Sequence, residues 1–144
     1  MEPRINIVTL GTHNLERATA FYERGLGLPK LAFQGNVSFF ALNGTWLALY
    51  PWELLAGDAT VAGNGSGFRG ATLAHVVESK EQVMLVLKQA EDAGAKIIKP
   101  AQETDWGGFS GYFSDLDDHL WEVAFNPFFW PGPRPMDRTE TSQP

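Results

Sequence analysis

Glu122 is the residue of this chain whose type and setting best suit chemistry. It stands inside an apolar run, Leu120-Trp121-Glu122-Val123-Ala124-Phe125. A carboxyl enclosed by apolar side chains is suited to general acid or base work near neutrality. The plainer reading is a hydrogen-bonded structural acid at a cavity mouth. His75 follows the alternation of its strand toward the helix layer, as a packed or capping histidine. His13 falls in a loop before a helix, and His119 in the turn Asp115-Leu116-Asp117-Asp118-His119. There is no Gly-x-Ser-x-Gly elbow, and Ser110 and Ser114 have no paired base. The run Gly63-Asn64-Gly65-Ser66-Gly67 lacks the Gly-Lys-Ser/Thr ending of a phosphate loop and reads as a flexible connector.

The elements that must position Glu122 come in two copies. From Ile5 to Tyr50, and again from Ala71 to Phe125, the pattern is strand, helix, then three strands. In the first copy Asn14 suits a helix N-cap, Leu15, Ala18, Phe21 and Tyr22 recur at helical spacing, and Gly25 is expected to supply the left-handed stop. In the second, Ser79 with Gln82 forms a capping-box pattern, Val83, Val86, Leu87 and Ala90 make the apolar stripe, and Gly94 ends the helix. Asn43-Gly44 predicts a type I′ hairpin turn. The repeat divides one domain, 4–127, into module one (4–55), a Gly/Ala/Ser-rich linker (56–70) and module two (71–127). A Pro-rich tail, 128–144, is expected to be disordered or to drape over the surface.

Composition sets the outer limits. The chain has 144 residues, 44% hydrophobic content and a net charge of −6, with its eleven basic residues scattered. That balance argues against nucleic acid or an anionic membrane as the partner. No apolar run approaches the ~18 residues of a membrane span, and no leader pattern opens the chain, so a cytoplasmic location is expected. The absence of cysteine removes disulfides, thiolate metal sites and cysteine nucleophiles.

Strand alternation sorts side chains between faces. With Asn43-Gly44 as a two-residue turn, Ala41 pairs with Trp46 and Phe39 with Ala48, and Trp46, Ala48 and Tyr50 share a face. A four-residue turn in the second hairpin pairs Phe113 with Leu120, Gly111 with Glu122 and Phe109 with Ala124. That register puts Phe109 and Phe113 on Glu122's face, with Gly111 leaving room beside the carboxylate and no Lys or Arg to hold it ionised. Trp106, in Asp105-Trp106-Gly107-Gly108, sits in a loop expected to fold over the cavity mouth.

Two stretches resemble the vicinal-oxygen-chelate superfamily. One is Asn14-Leu15-Glu16-Arg17, followed by Phe21-Tyr22 and Gly25-Leu26-Gly27-Leu28. The other is Gly111 to Val123, with Leu116 and Asp118 where that family usually has proline and glycine. This superfamily contains glyoxalase I, extradiol dioxygenases, fosfomycin-resistance enzymes and bleomycin-resistance proteins. The resemblance implies an α+β fold: two βαβββ modules forming one curved mixed sheet around a cavity, helices outside. Metal-dependent members place ligands on the first and fourth strands of each module. Carried over here, those positions are Ile7, Ala48, Thr72 and Glu122, and of these only Glu122 binds a metal well. No metal and no cofactor are therefore expected.

The function expected from the sequence is binding of a small, partly aromatic molecule in an apolar cavity. Glu122 and Thr72 would be its polar anchors, and Phe39, Trp46, Ala48, Tyr50, Trp106, Phe109 and Phe113 its walls. The rival expectation is a glyoxalase-like lyase or isomerase in which Glu122 is the general acid/base on a carbonyl substrate, metal-dependent versions fitting less well. Either way the open sheet faces point to a homodimer.

Overall fold

A computed structural model describes residues 1–131. The order is β1 (Ile7–Thr12), α1 (Leu15–Ala20) with a π-helical turn (Phe21–Gly25), β2 (Ser38–Ala41), β3 (Trp46–Pro51), α2 (Trp52–Asp58), β4 (Leu73–Val77), α3 (Lys80–Asp92), β5 (Lys96–Glu103), β6 (Phe109–Ser114) and β7 (Leu120–Phe125). The strands form two mixed sheets, β1-β3-β2 and β4-β7-β6-β5, with β1–β3 and β4–β7 parallel. This is the expected α+β architecture, its curved sheet hydrogen-bonded as two parts. In module one the first strand expected after the helix, the counterpart of β5, is reduced to a bridge between Lys30 and Phe40, with Leu31 N donating to Phe39 O and Ala41 N to Pro29 O. Pro29 has no N–H to extend that ladder.

Both helix starts follow from side-chain capping. Asn14 Oδ1 accepts from Arg17 N at 3.0 Å and Ser79 Oγ from Gln82 N at 3.2 Å, while Gln82 Oε1 reaches back to Glu78 N at 2.8 Å. Each cap satisfies a backbone donor that the first helical turn leaves free. At the helix ends the two copies differ. Gly94 takes φ +109°, as expected of a stop glycine, but in module one the left-handed residue is Gly27 (φ +73°) rather than Gly25.

Gly25 has a different job. A Cβ there would lie 2.5 Å from Ala93 Cβ, so its bare backbone lets the end of the first helix touch the end of α3. The turn before it closes with Leu26 N donating to Phe21 O, an i→i+5 bond. It carries both Phe21 and Tyr22 into the core.

That core lies between the helices and the inner sheet faces. It is one cluster built from both modules, with Tyr22, Phe40, Leu47, Leu49, Val83, Phe113 and Val123 at its most enclosed positions. The joint between modules is polar as well as apolar. Tyr22 donates to Asp115 Oδ2 and accepts from Trp121 Nε1 at 3.1 Å. Asp117 accepts from Thr12 Oγ1 (2.7 Å) and from His13 N (2.8 Å), and His119 Nε2 donates to Gly11 O at 2.7 Å.

The segment read as a linker from Ala56 begins inside α2, an element the sequence pattern had not shown. Trp52 opens α2 and stacks with His13 (ring centroids 4.7 Å apart) and with His119 (5.8 Å), while its Nε1 donates to Gly63 O. The tail expectation beyond residue 131 lies outside the described residues. Among the described residues no helix is long and apolar enough to cross a membrane.

Candidate functional site

The first hairpin has the expected register, with Phe39 opposite Ala48 and Ala41 opposite Trp46. Its turn is not type I′, because Gly44 takes positive φ (91°) and Asn43 does not. Trp46, Ala48 and Tyr50 thus share one side of β3, opposite the core residues Leu47 and Leu49. Phe39 joins them, with its ring 6.0 Å from Trp46 and 5.2 Å from Phe33. Trp46 is 41% exposed and Ile7 46%, so this aromatic face is open in the single chain.

The second hairpin differs from expectation by one residue. Ser114 pairs with Leu120, Phe113 with Trp121, Tyr112 with Glu122 and Gly111 with Val123. The cause is the turn. Asp118 N donates to Asp115 O, Asp118 takes φ +65°, and Asp115 N donates to His119 O, which makes a three-residue connection ending in a left-handed residue. The Asp115 carboxylate clamps it by accepting from Asp117 N and His119 N at 2.9 Å each. Asp118 therefore holds a left-handed conformation without being glycine.

A one-residue slip moves every side chain of a strand to the other face. Phe109 and Phe113 consequently lie on the helix side, away from Glu122. Phe113 is buried and its ring stacks with Trp121 at 6.1 Å, while Phe109 lies under the Lys80 ammonium. Gly111 also faces the helix: a Cβ there would meet Leu87 Cδ1 at 2.7 Å. It makes room for α3, not for a ligand beside Glu122.

The residue that does stand beside Glu122 is Tyr112, which the sequence reading missed. Partial burial, then the charge of the Glu122 carboxylate and a hydrogen bond to it, raise the Tyr112 pKa above its usual value. On the other side of Glu122, the register brings Ala74 next to it, with Thr72 two residues earlier, just before β4 begins. In module one the corresponding neighbour of Ala48 is Thr9, not Ile7. The four symmetric positions are thus Thr9, Ala48, Ala74 and Glu122.

This donor set does not fit the metal of the family's metal-dependent members. It offers one carboxylate, one hydroxyl and two methyl groups, where a stable divalent site uses three or four donors. Among the described residues no three His, Cys, Asp or Glu side chains come together in a way that could hold an ion. His75 pairs with Val123, on the opposite face from Glu122, and partial desolvation lowers its pKa.

Trp106 is 47% exposed, and its ring packs where a Gly108 side chain would otherwise stand. Its loop closes on itself, with Gly108 N bonded to Thr104 Oγ1 at 2.9 Å. The two surface hollows that are best defined lie elsewhere. The larger, about 480 Å³, runs along α1 between Leu15, Thr19, Glu23 and Ser38.

Comparison with known proteins decides the family. Residues 4–123 match the model of the Glyoxalase/Bleomycin resistance protein/Dioxygenase superfamily. The chain belongs to this superfamily. Among solved structures, it is similar to a glyoxalase-related enzyme from Fulvimarina pelagi, at 32% identity and TM-score 0.82 over 90% of this chain and 93% of that one. A glyoxalase/bleomycin resistance protein/dioxygenase from Nocardioides matches at 23% identity and TM-score 0.72, over 93% of this chain and 91% of that one. Lactoylglutathione lyase from Agrobacterium tumefaciens shares the fold at 20% identity and TM-score 0.68, over 92% of this chain and all (100%) of that one. The superfamily's sheets are what place Glu122 and Trp46 on faces turned away from the helices.

Proposed function

We propose that this protein binds a small, flat, partly aromatic molecule without a metal ion, between the aromatic face of one module and the Glu122 face of another. The observation that carries this reading is the contrast between the two open faces. Module one presents Phe39, Trp46 and Tyr50, while module two presents Glu122, Tyr112 and, just before β4, Thr72. Flat aromatic walls gain about 0.5–1.5 kcal/mol per ring pair beyond area burial, and a single acid supplies orientation.

In one chain Glu122 and Tyr112 are half-buried while Trp46 is exposed, and Ile5 and Phe33 are further exposed apolar residues of module one (64% and 55% exposed). Apolar surface of this kind is covered by a partner or a ligand in stable proteins. A homodimer that sets the Trp46 face of one chain against the Glu122 face of its partner covers both and encloses the ligand. Saturable quenching of tryptophan fluorescence by planar aromatic probes, without turnover, is the expected result. No quenching by any such probe at millimolar concentration contradicts the reading.

A second reading is favoured by the register that sets Tyr112 directly across from Glu122. A carboxylate paired with a phenol can pass a proton, which suits a lyase or isomerase acting on a carbonyl compound. The 32% identical relative is described as a glyoxalase-related enzyme, which supports this alternative. Under it, Glu122→Gln abolishes turnover and leaves binding largely intact. Under the binding reading there is no turnover to lose.

A further inference from the structure

On the side of the second sheet turned away from α3, one row of residues crosses all four strands. Lys99, Tyr112, Glu122 and Ala74 stand in register on β5, β6, β7 and β4. The matching row of module one is Phe39, Ala48 and Thr9 on β2, β3 and β1. The repeat thus replaces Phe39 by Tyr112 and Ala48 by Glu122. Two adjacent polar groups appear where the other copy has a ring and a methyl.

A carboxylate only accepts hydrogen bonds, whereas a phenol both donates and accepts. A ligand hydroxyl placed between the two can donate to Glu122 and accept from Tyr112 with the same oxygen. Neither an ether nor a hydrocarbon can do both. A site built to hydrogen-bond a hydroxyl rejects analogues lacking it far more strongly than an apolar wall discriminates by size. Ala74 leaves the opposite flank of Glu122 uncrowded, and Lys99 stands one strand beyond Tyr112, where a cation favours an oxygen carrying negative character.

We infer that Tyr112 and Glu122 form a two-point anchor for the hydroxyl of a phenol or enol on a flat ring. This rests on the ligand-binding reading above and narrows it to a chemical class. Glu122 is the specificity-determining partner: it accepts from a hydroxyl and has nothing to accept from an ether, whereas Tyr112 donates to either oxygen and the aromatic wall on Phe39 and Trp46 supplies affinity for any ring of the right size.

The test is isothermal titration calorimetry of the full chain with 2-naphthol and its methyl ether, 2-methoxynaphthalene. The unmodified protein is expected to prefer the naphthol by about tenfold or more. Tyr112→Phe removes a donor that either oxygen can use and is expected to weaken both probes, whereas Glu122→Leu removes the acceptor and keeps a side chain of similar size. Glu122→Leu is expected to bind the ether at least as well as before and to cut the preference to about threefold or less. Equal affinity for the two probes, or a preference unchanged in Glu122→Leu, overturns the anchor and leaves the aromatic-ligand reading standing. Failure of the unmodified protein to bind either probe overturns both. The comparison of the two probes on the unmodified protein stands even if the variant does not fold.

Discussion

The Tyr22 hydroxyl donates to the Asp115 carboxylate at 2.5 Å, joining the first helix of module one to the β6–β7 turn of module two. Tyr22 has no exposed surface, and its oxygen also accepts from Trp121 Nε1. The same aspartate organises the turn that sets the register of Glu122. The joint between modules and the geometry of the site are therefore one network.

Tyr22→Phe is expected to cost about 2–3 kcal/mol at pH 7, because it leaves a buried carboxylate and an indole N–H each short of a partner. The cost should depend on pH. Burial raises the Asp115 pKa, while the bond from Tyr22, the charge of His119 and the backbone N–H groups of Asp117 and His119 pull it back down. A carboxyl with a raised folded pKa keeps its proton longer in the native state than in the unfolded chain. Its contribution to stability is full below the unfolded value and is lost as pH rises through the folded value. Removing the Tyr22 hydroxyl pushes the folded pKa further up. The deficit of the variant, measured by urea unfolding, should therefore be larger at pH 7 than at pH 4. A deficit that does not change with pH contradicts the role given to Asp115.

Gly25→Ala is expected to destabilise by about 1–3 kcal/mol, the usual cost of overpacking. The added methyl would meet Ala93 Cβ at 2.5 Å. Ala93→Gly in the same chain should restore most of the loss. Gly57, inside α2 with open space around it, is the control. Gly57→Ala should stabilise by about 0.5–1 kcal/mol. Thermal melts of the four proteins check this, and equal behaviour of Gly25→Ala and Gly57→Ala would falsify the close-approach argument.

Asp118 sits at φ +65°. Replacing it by glycine should leave the melting temperature equal or higher. Asp118→Val, which is β-branched, should lose about 1–2 kcal/mol. If valine is tolerated as well as glycine, the left-handed turn is not what sets the hairpin register.

The phenol of Tyr112 titrates above its usual value, through partial burial first and the neighbouring Glu122 carboxylate second. In Glu122→Gln the charge is gone, so the Tyr112 pKa should move down toward the ordinary tyrosine value. Ultraviolet absorbance followed against pH reads this directly, with Tyr112→Phe identifying the band. An unmoved titration would separate the two side chains and remove the basis for the anchor.

Much of this architecture is legible in the sequence where a local signal acts alone. Asn14 and Ser79 announce their helices because a short polar side chain satisfies the first turn whatever surrounds it. The Asn43-Gly44 hairpin yields the right partners for Phe39 and Trp46 because a two-residue turn leaves little choice of register. The second hairpin is different. Its register depends on Asp115 folding back on the turn and on Asp118 going left-handed, and neither is visible from spacing. A shift of one residue then exchanged Phe109, Phe113 and Gly111 for Tyr112 beside Glu122. The overlooked signal was Gly111 itself, whose missing side chain suits close approach to Leu87 of α3. Parallel pairing is harder still, since no turn connects β1 to β3 or β4 to β7. That is why Ile7 and Thr72 stood in for Thr9 and Ala74.

The central claim is that Glu122 is a lone acid in its row, beside Tyr112 and among Thr9, Ala48 and Ala74, so that ligand binding proceeds without a metal. Elemental analysis of the purified chain after exposure to Zn²⁺, Ni²⁺, Mn²⁺ and Fe²⁺, followed by gel filtration, tests it most directly. The expected result is below about 0.1 ion per chain for each metal, since one carboxylate falls short of the three or four donors a stable site needs. About one ion per chain, lost in Glu122→Gln, would contradict it.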